Sequence, residues 1–240
     1  MKLQGKTILL TGGTDGIGLR LARQLREKGA QLIVTGRTPE RIAAAQAEGF
    51  EVIAADLAGP EGIEALLAGL GGRPIDVLIN NAGMGTAHDF REAPPVEADD
   101  ERTLWLNVHA PIRLIGRLMP VLRSRSEAMI VNVTSGLAIA PNAGSPLYCA
   151  TKAALRSYTM GLREQLKGTG VHVLEALPPL VDTAMTAGRG SNKLAPEECA
   201  RQIIAAMESG SDEANVGMVK VLRAVYSLSP ALARSIMLRF

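Results

Sequence analysis

The chain is poor in aromatic residues and cysteines, carries no excess of either charge, and has no long apolar run. Aromatics make up 3% of its 240 residues against a hydrophobic fraction of 47%, so the core must come from Ala, Leu, Ile and Val, as in α/β proteins. Cys149 and Cys199 are far apart and in no metal-ligand spacing. They argue against a disulfide framework and fit two reduced thiols in a reducing compartment. No apolar run approaches the roughly 20 residues that span a bilayer, and Met1–Gly5 lacks the charged-then-apolar pattern of a signal peptide. A cytoplasmic protein is expected. A formal charge of +2 leaves no basic stripe of the kind nucleic-acid binders carry, so no nucleic-acid partner is expected. His88, His109 and His172 are scattered and read as structural or surface residues. No carboxylate cluster has metal-ligand spacing, so no metal is expected either.

What is present is alternation. Short apolar runs rich in β-branched residues (Lys6–Leu10, Gln31–Thr35, Glu51–Ala54, Val77–Asn80, Met129–Val133, His172–Leu177 and Val216–Leu222) read as strands. Most are apolar on both faces, as parallel strands covered on two sides are. Helix-like stretches lie between them, including Gly16–Lys28, Ala98–Arg123, Pro146–Lys167 and Ala195–Ser209. The acidic residues Glu97, Asp99, Asp100 and Glu101 open the second of these helices and Arg117 and Arg123 close it, which complements the helix dipole. The pattern predicts an α/β fold: a single Rossmann-type domain over residues 1–240, with a doubly wound parallel sheet of about seven strands and helices on both faces. Pro178 to Pro196 is the one long irregular stretch and reads as a functional loop, with Met84 to Pro95 a weaker second.

After the first strand comes Thr11-Gly12-Gly13-Thr14-Asp15-Gly16-Ile17-Gly18, running into a helix. Glycines there allow a tight turn, close approach of backbone N–H groups to a pyrophosphate, and packing of helix on strand. The second strand ends at Thr35-Gly36-Arg37. A carboxylate here would bind the ribose hydroxyls of NAD, whereas a guanidinium can pair with the 2′-phosphate of NADP. Gly36 and Arg37 therefore favour NADP(H) over NAD(H). Asp15 opposes that reading if its carboxylate points at the phosphate. Asp56-Leu57 follows the third strand, either beside an adenine ring or as a turn-forming and capping aspartate. Asn80-Asn81-Ala82-Gly83 follows the fourth, where small residues permit backbone contact and the amides can tie strand ends together.

Tyr148 and Lys152 stand at i and i+4 on one helix face. A free tyrosine titrates near ~10, and a close cation favours its phenolate, so the pair suits general acid/base work. By itself it proves little. Ser135, at the end of the fifth strand, offers a hydroxyl to a substrate oxygen. Asn107 lies inside the long helix, a poor place for asparagine unless its side chain or a local kink has a purpose.

Ser135, Tyr148 and Lys152, downstream of T-G-x-x-x-G-x-G and N-N-A-G, resemble the short-chain dehydrogenase/reductase family over residues 6 to 222. The resemblance implies an NAD(P)(H)-dependent oxidoreductase that moves a hydride between nicotinamide C4 and a carbonyl or secondary alcohol. Catalysis would fall to Asn107, Ser135, Tyr148 and Lys152. Tyr148 would exchange the proton with the substrate oxygen, and Lys152 would hold the nicotinamide ribose and depress the tyrosine pKa. Ser135 would orient the carbonyl, and Asn107 would order a water in a proton relay. Gly12, Thr14, Asp15, Gly16, Ile17, Gly18, Arg37, Asp56, Leu57, Asn81, Ala82, Gly83, Tyr148, Lys152, Pro178 and Thr183 would contact the cofactor.

Two departures stand out. The family's usual Pro-Gly after the sixth strand is Pro178-Pro179, and Pro179 lacks a backbone donor. Thr183 still matches the threonine that holds the carboxamide. The stretch from Ser135 through Pro-Pro-Leu-Val-Asp-Thr is similar to a subgroup containing the oxidoreductase of the lipoteichoic-acid D-alanylation operon. The second departure is the basic, apolar tail of residues 223–240, through Ile236, Met237, Leu238 and Phe240. It reads as a helix packed on the body or across a subunit interface, or else as a membrane-surface helix bearing Arg223, Arg234 and Arg239. Met84, Leu137, Leu147, Leu180 and Met185 are expected near the substrate, which points to an apolar or amphipathic carbonyl or alcohol, with residues 178–196 as its lid. Relatives imply a homodimer or homotetramer built on the helices Pro146–Lys167 and Ala98–Arg123. The competing reading is a dinucleotide-sensing regulatory or assembly protein on the same fold without turnover.

Overall fold

The computed structural model describes residues 1–86, 89–92 and 95–239; His88 and Phe240 lie outside them. The strands are β1 (Thr7–Leu10), β2 (Gln31–Gly36), β3 (Glu51–Ala54), β4 (Val77–Asn80), β5 (Ala128–Val133), β6 (Val171–Leu177) and β7 (Glu213–Asn215). Among the described residues they form one parallel sheet in the order β3-β2-β1-β4-β5-β6-β7. The chain starts at β1 in mid-sheet, winds outward to β3, then restarts at β4 on the other side. The two halves therefore part between β1 and β4, and a crevice opens there at the carboxyl ends of the strands. β4 and β5 are buried at every position, which is why their sequences read as unbroken apolar runs.

One face of the sheet is covered by α1 (Gly16–Glu27) and α7 (Pro196–Ser209), the other by α3 (Pro60–Leu70), α5 (Ala110–Arg123) and α6 (Pro146–Gln165). In α1 the buried residues are Gly18, Leu21, Ala22 and Leu25, the i, i+3, i+4, i+7 stripe of a helix with one apolar face. Proline opens α2 (Pro39–Ala47), α3, α6 and α7, where its missing N–H costs nothing. α4 (Glu97–Leu104) and α5 are not one uniform helix. They are joined by a π-turn at Trp105–His109, with Ala110 N–H donating to Trp105 O. Pro111 supplies the cause, because it has no N–H to offer the Asn107 carbonyl four residues earlier.

The seventh strand is misplaced by sequence reading. Val216–Leu222 is not a strand: Gly217 turns the chain at φ +52°, and α8 (Val219–Leu228) follows, then α9 (Pro230–Met237). The residues expected as a tail from position 223 thus begin inside α8. Val219, Leu222 and Tyr226 recur at helical spacing and pack over Ile139 and Leu177. Burying that stripe outweighs the β-preference of the valines. The edge strand is the preceding polar Glu213–Asn215, in register with Glu175–Leu177. The segment after β6 is also less irregular than expected. Val181 and Leu194 form a parallel bridge, Asp182 N–H donates to Leu194 O and Leu194 N–H to Leu180 O, both at 2.9 Å. The bridge closes the neck of the loop.

Candidate active site

The crevice is a cleft of about 540 Å³. Its floor is the turn after β1. Thr11 Oγ accepts from the N–H groups of Asn81 and Ala82, each at 3.0 Å. Gly12 N–H donates to Thr35 Oγ at 3.0 Å, and Asn81 Nδ2 donates to Thr11 O and Gly12 O. The three strand ends that flank the crevice are stitched together by these bonds. One shell deeper, Asn80 Nδ2 donates to Asn132 Oδ1 and Asn132 Nδ2 to Thr159 Oγ, as expected of amides that tie strand ends. A Cβ on Gly18 would lie 2.1 Å from Gly12 O. Only glycine lets α1 begin this close to the turn, so that Gly16, Ile17 and Gly18 line the cleft. The first turn of α1 contains no acidic residue, so its N–H groups and dipole suit a pyrophosphate. The backbone cradle and the clear helix end fit a dinucleotide.

Asp15, which sequence alone set against a 2′-phosphate, is not a bare carboxylate here. Its carboxylate accepts no capping bond and pairs with Arg41 Nη1 at 2.8 Å. Arg41, in the first turn of α2, lines the cleft with Arg37 and Thr38. Sequence reading missed Arg41, although it stands four residues after Arg37, with Thr38-Pro39 marking a helix start between them. Asp56 lines the cleft, and its Oδ1 accepts from Ala58 N–H at 3.2 Å, the bond of a turn-forming aspartate. Burial works to raise the Asp56 carboxyl, but the Arg102 guanidinium at 2.7 Å, the Ala58 amide and Arg37 outweigh it and hold the group below its usual range. Leu57 closes the floor beside it.

At the other end Ser135, Tyr148 and Lys152 line one wall, with Gly83, Met84 and Gly85 opposite. Added Cβ atoms on Gly83 and Gly85 would come to 3.4 Å from Lys152 Nζ and from the Tyr148 ring; glycine keeps this passage open. Ser135 caps a short 3-10 turn (Gly136–Ala138), its Oγ accepting from Leu137 N–H at 3.1 Å. Lys152 Nζ is buried, donates to Val133 O at 3.0 Å and lies 5.7 Å from the Tyr148 ring centroid. Its influence on the tyrosine differs from expectation. Burial pushes the Tyr148 phenol up to about 12, the Ser135 hydroxyl pulls against it, and Cys149 adds a smaller upward push. Burial likewise draws Lys152 down to about 8. Here desolvation, not the neighbouring cation, governs the phenol.

Asn107 is fully buried behind this wall and outside the cleft lining. Its Nδ2 donates to Met84 O at 2.8 Å and Thr151 Oγ at 3.0 Å, and its Oδ1 accepts from Met84 N–H at 3.0 Å. The side chain thus pins residue 84 to α6, while the π-turn sits at its own backbone. Pro178 O accepts from Gly136 N–H at 2.9 Å. Pro179 packs toward Gly217, where a Cβ would lie 3.5 Å from the proline ring, so the extra proline joins the loop to the start of α8. Thr183 caps a 3-10 turn (Ala184–Thr186) and faces Gly16 across the cleft. Of the apolar residues expected near substrate, Met84 and Met185 line the cleft; Leu137, Leu147 and Leu180 do not.

Elsewhere, Cys149 and Cys199 are free and buried. His109 stacks on Trp105 at 5.0 Å, and His172 Nε2 meets Ser211 O at 3.0 Å. Among the described residues no group of three His, Cys, Asp or Glu could hold a metal, and no helix is long and apolar enough to cross a membrane.

Comparison with known proteins agrees with this geometry. Residues 6–194 match the family model for short chain dehydrogenase. The uncharacterized oxidoreductase DltE of Bacillus subtilis is 38% identical over 233 residues, covering 93% of this chain and 92% of its own length. Serine 3-dehydrogenase of Agrobacterium fabrum is 38% identical over 200 residues, covering 80% and 78%. A short chain dehydrogenase from Burkholderia cenocepacia, solved in complex with NADP, superposes with a TM-score of 0.88 at 26% identity, covering 99% of both chains.

Proposed function

From the chain's membership of the short-chain dehydrogenase family, we propose that this oxidoreductase uses NADP(H) in preference to NAD(H) and works on an apolar carbonyl or its alcohol, with Tyr148 as the acid/base. The single observation that carries the reading is the meeting, in one cleft, of the glycine turn Gly12–Gly18 with Ser135, Tyr148 and Lys152. A nicotinamide cofactor, when bound, supplies or accepts the hydride. The chain handles the proton. In reduction Tyr148 Oη gives its proton to the carbonyl oxygen while Ser135 Oγ holds that oxygen, and in oxidation the same proton returns to Tyr148. Lys152 holds the ribose beside them. Asn107 acts from behind, fixing Met84 against α6, and Pro111 removes the i+4 donor of its carbonyl, which supports that carbonyl as a water anchor.

The NADP(H) preference is supported by Arg37, Thr38 and Arg41 at the adenosine end of the cleft, with Asp15 neutralised by Arg41. The apolar substrate is supported by charge distribution. Asp15, Arg37, Arg41 and Asp56 sit at the adenosine end, and among the described residues Lys152 is the one charged residue lining the other. Residues 178–196 close over the substrate as a lid, with Met185 as its inner apolar surface. The two buried free thiols support a reducing, cytoplasmic setting. Leu104 and Met160, exposed on the helices expected at a subunit surface, support self-association.

The test is NADPH and NADH oxidation over a panel of aldehydes and ketones, acetophenone and cyclohexanone included, with Tyr148→Phe as control. Wild type turns over at least one apolar ketone and Tyr148→Phe does not, while NADP+ still binds the variant. Turnover retained in Tyr148→Phe, or cofactor binding without turnover across the panel, overturns the reading; the latter result would favour a dinucleotide sensor.

A further inference from the structure

Behind the reacting residues runs a buried chain of charge. Glu175, in β6, is 0% exposed, and a carboxylate in that position needs partners for its oxygens. They come from two sides. Thr134 Oγ donates to Glu175 Oε1 at 2.7 Å, and Arg156 Nη1 donates to Oε2 at 2.6 Å. Arg156 Nη2 continues to Glu213 Oε1 on β7 at 3.0 Å, where Arg223 of α8 also arrives at 3.5 Å. Asn215 donates to the other Glu213 oxygen at 3.3 Å.

The two ends of this chain lead to the two halves of the reacting pair. Thr134 immediately precedes Ser135, where β5 gives way to the 3-10 turn. Arg156 follows Lys152 by four residues and Tyr148 by eight, on one face of α6. A buried ion pair is weak evidence for stability, because apolar residues often replace one without loss. This one, however, joins the strand end bearing Ser135 to the helix bearing Tyr148. Thr134 Oγ also lies 3.2 Å from Ala176 O, which shares the hydroxyl's one proton with Glu175; both acceptors are on β6, so either bond ties the end of β5 to that strand.

We propose that Thr134 and Glu175 are positioning residues, which hold the Ser135 hydroxyl against Tyr148 by clamping the end of β5 to the Arg156 anchor of α6. The proposal rests on Ser135 and Tyr148 being the reacting pair. Thr134 stands in the cleft wall beside Ser135, but its hydroxyl is turned away to Glu175 and Ala176 O, and Glu175 is outside the lining; both act through Ser135. The Ser135 hydroxyl draws the Tyr148 phenol downward, so loosening Ser135 must let the phenol titrate higher. Lys152 and Cys149, the other titratable groups facing the phenol, are unchanged by a substitution at Thr134.

The experiment compares wild type, Thr134→Val, Thr134→Ala and Thr134→Ser, each saturated with NADP+. The Tyr148 titration is read as tyrosinate absorbance after subtracting Tyr148→Phe. Thr134→Val and Thr134→Ala each raise the midpoint by roughly half a pH unit or more, while Thr134→Ser, which keeps the hydroxyl, titrates with wild type. NADP+ affinity stays within about twofold, since a lost hydroxyl at Thr134 removes no cofactor contact. A wild-type midpoint in whichever hydroxyl-free variant is soluble, or a raised one in Thr134→Ser, overturns the proposal. Because no turnover is needed, the result stands apart from the ketone screen. A wild type that fails that screen refutes the function, whereas a passing wild type with unshifted Thr134 variants refutes this inference alone.

Discussion

Arg41 closes on Asp15 at 2.8 Å, joining the first turn of α2 to the residue that precedes α1. The pair gives the carboxylate beside the glycine turn a cation of its own, so that on the proposed NADP(H) reading it no longer opposes a 2′-phosphate. Both side chains are about half exposed, so the pair adds little to stability and its value lies in where the charges point.

Arg41→Ala leaves Asp15 uncompensated at the mouth of the cleft. KM for NADPH should rise about 10- to 100-fold, the range of one charge-assisted hydrogen bond to a phosphate, while KM for NADH moves little. Steady-state kinetics with both cofactors checks this. Equal losses for the two would place the guanidinium away from the 2′ position.

With Tyr148 pushed up to about 12, the neutral phenol dominates in the free enzyme through the neutral range. Carbonyl reduction, which needs the phenol and the charged Lys152, should show a kcat/KM that is flat from about pH 6 to 7 and falls as Lys152 loses its proton at about 8. Alcohol oxidation needs the phenolate and should climb with pH across the same window. The pH profiles in the two directions must therefore differ in shape.

Lys152 yields a stability prediction of defined sign. Its folded pKa of about 8 lies below the unfolded value of 10.5. Between those values the unfolded chain holds more protons, so stability rises with pH through the window. Lys152→Met lacks this dependence. Urea titrations at pH 8 and pH 10 should show wild type gaining on the variant, by at most about 3 kcal/mol at 1.36 kcal/mol per pH unit.

Asn107→Ala removes three hydrogen bonds at a buried site, leaving Met84 N–H, Met84 O and Thr151 Oγ to find other partners. A loss of roughly 2–4 kcal/mol is expected, together with a fall in kcat as Met84 and Gly85 lose their fixed place opposite Tyr148. Chemical denaturation and kinetics on the same preparation test both parts.

Gly18→Ala sets a methyl 2.1 Å from Gly12 O. The nearest atom is backbone and cannot swing aside, so α1 must back away from the turn. Strain of about 1–3 kcal/mol and a marked loss of cofactor affinity are expected, readable by thermal melts with and without NADP+. Gly116→Ala, where a Cβ meets nothing within 4 Å, is the matched control.

Much of this was legible from the chain alone, and the reason is locality. A glycine turn between strand and helix, a tyrosine and lysine one helical turn apart, and apolar runs alternating with amphipathic ones are patterns written within a few consecutive residues. They determined the parallel sheet, the glycine turn at its crevice, and the placing of Tyr148 and Lys152 on one helix face. The π-turn at Asn107 is not legible there, although Pro111 stands four residues on: Ala98–Arg123 reads as one helix, with Asn107 only hinting at a local kink. Where local signals competed, reading failed: Val216–Leu222 holds both β-branched residues and a helical stripe, and packing over Ile139 and Leu177 decided for helix.

What only the tertiary structure decided are relations between residues distant in sequence. Asp15 meets Arg41 because α2 turns back over the start of α1. Glu175 meets Thr134 and Arg156 because β5, β6 and α6 stack. The protonation of Tyr148 belongs to the same class. Spacing places a cation one turn away, but the free energy of a buried phenol is set by everything packed around it, and that surrounding is assembled from Gly85, Ser135, Cys149 and Lys152 only when the chain has folded.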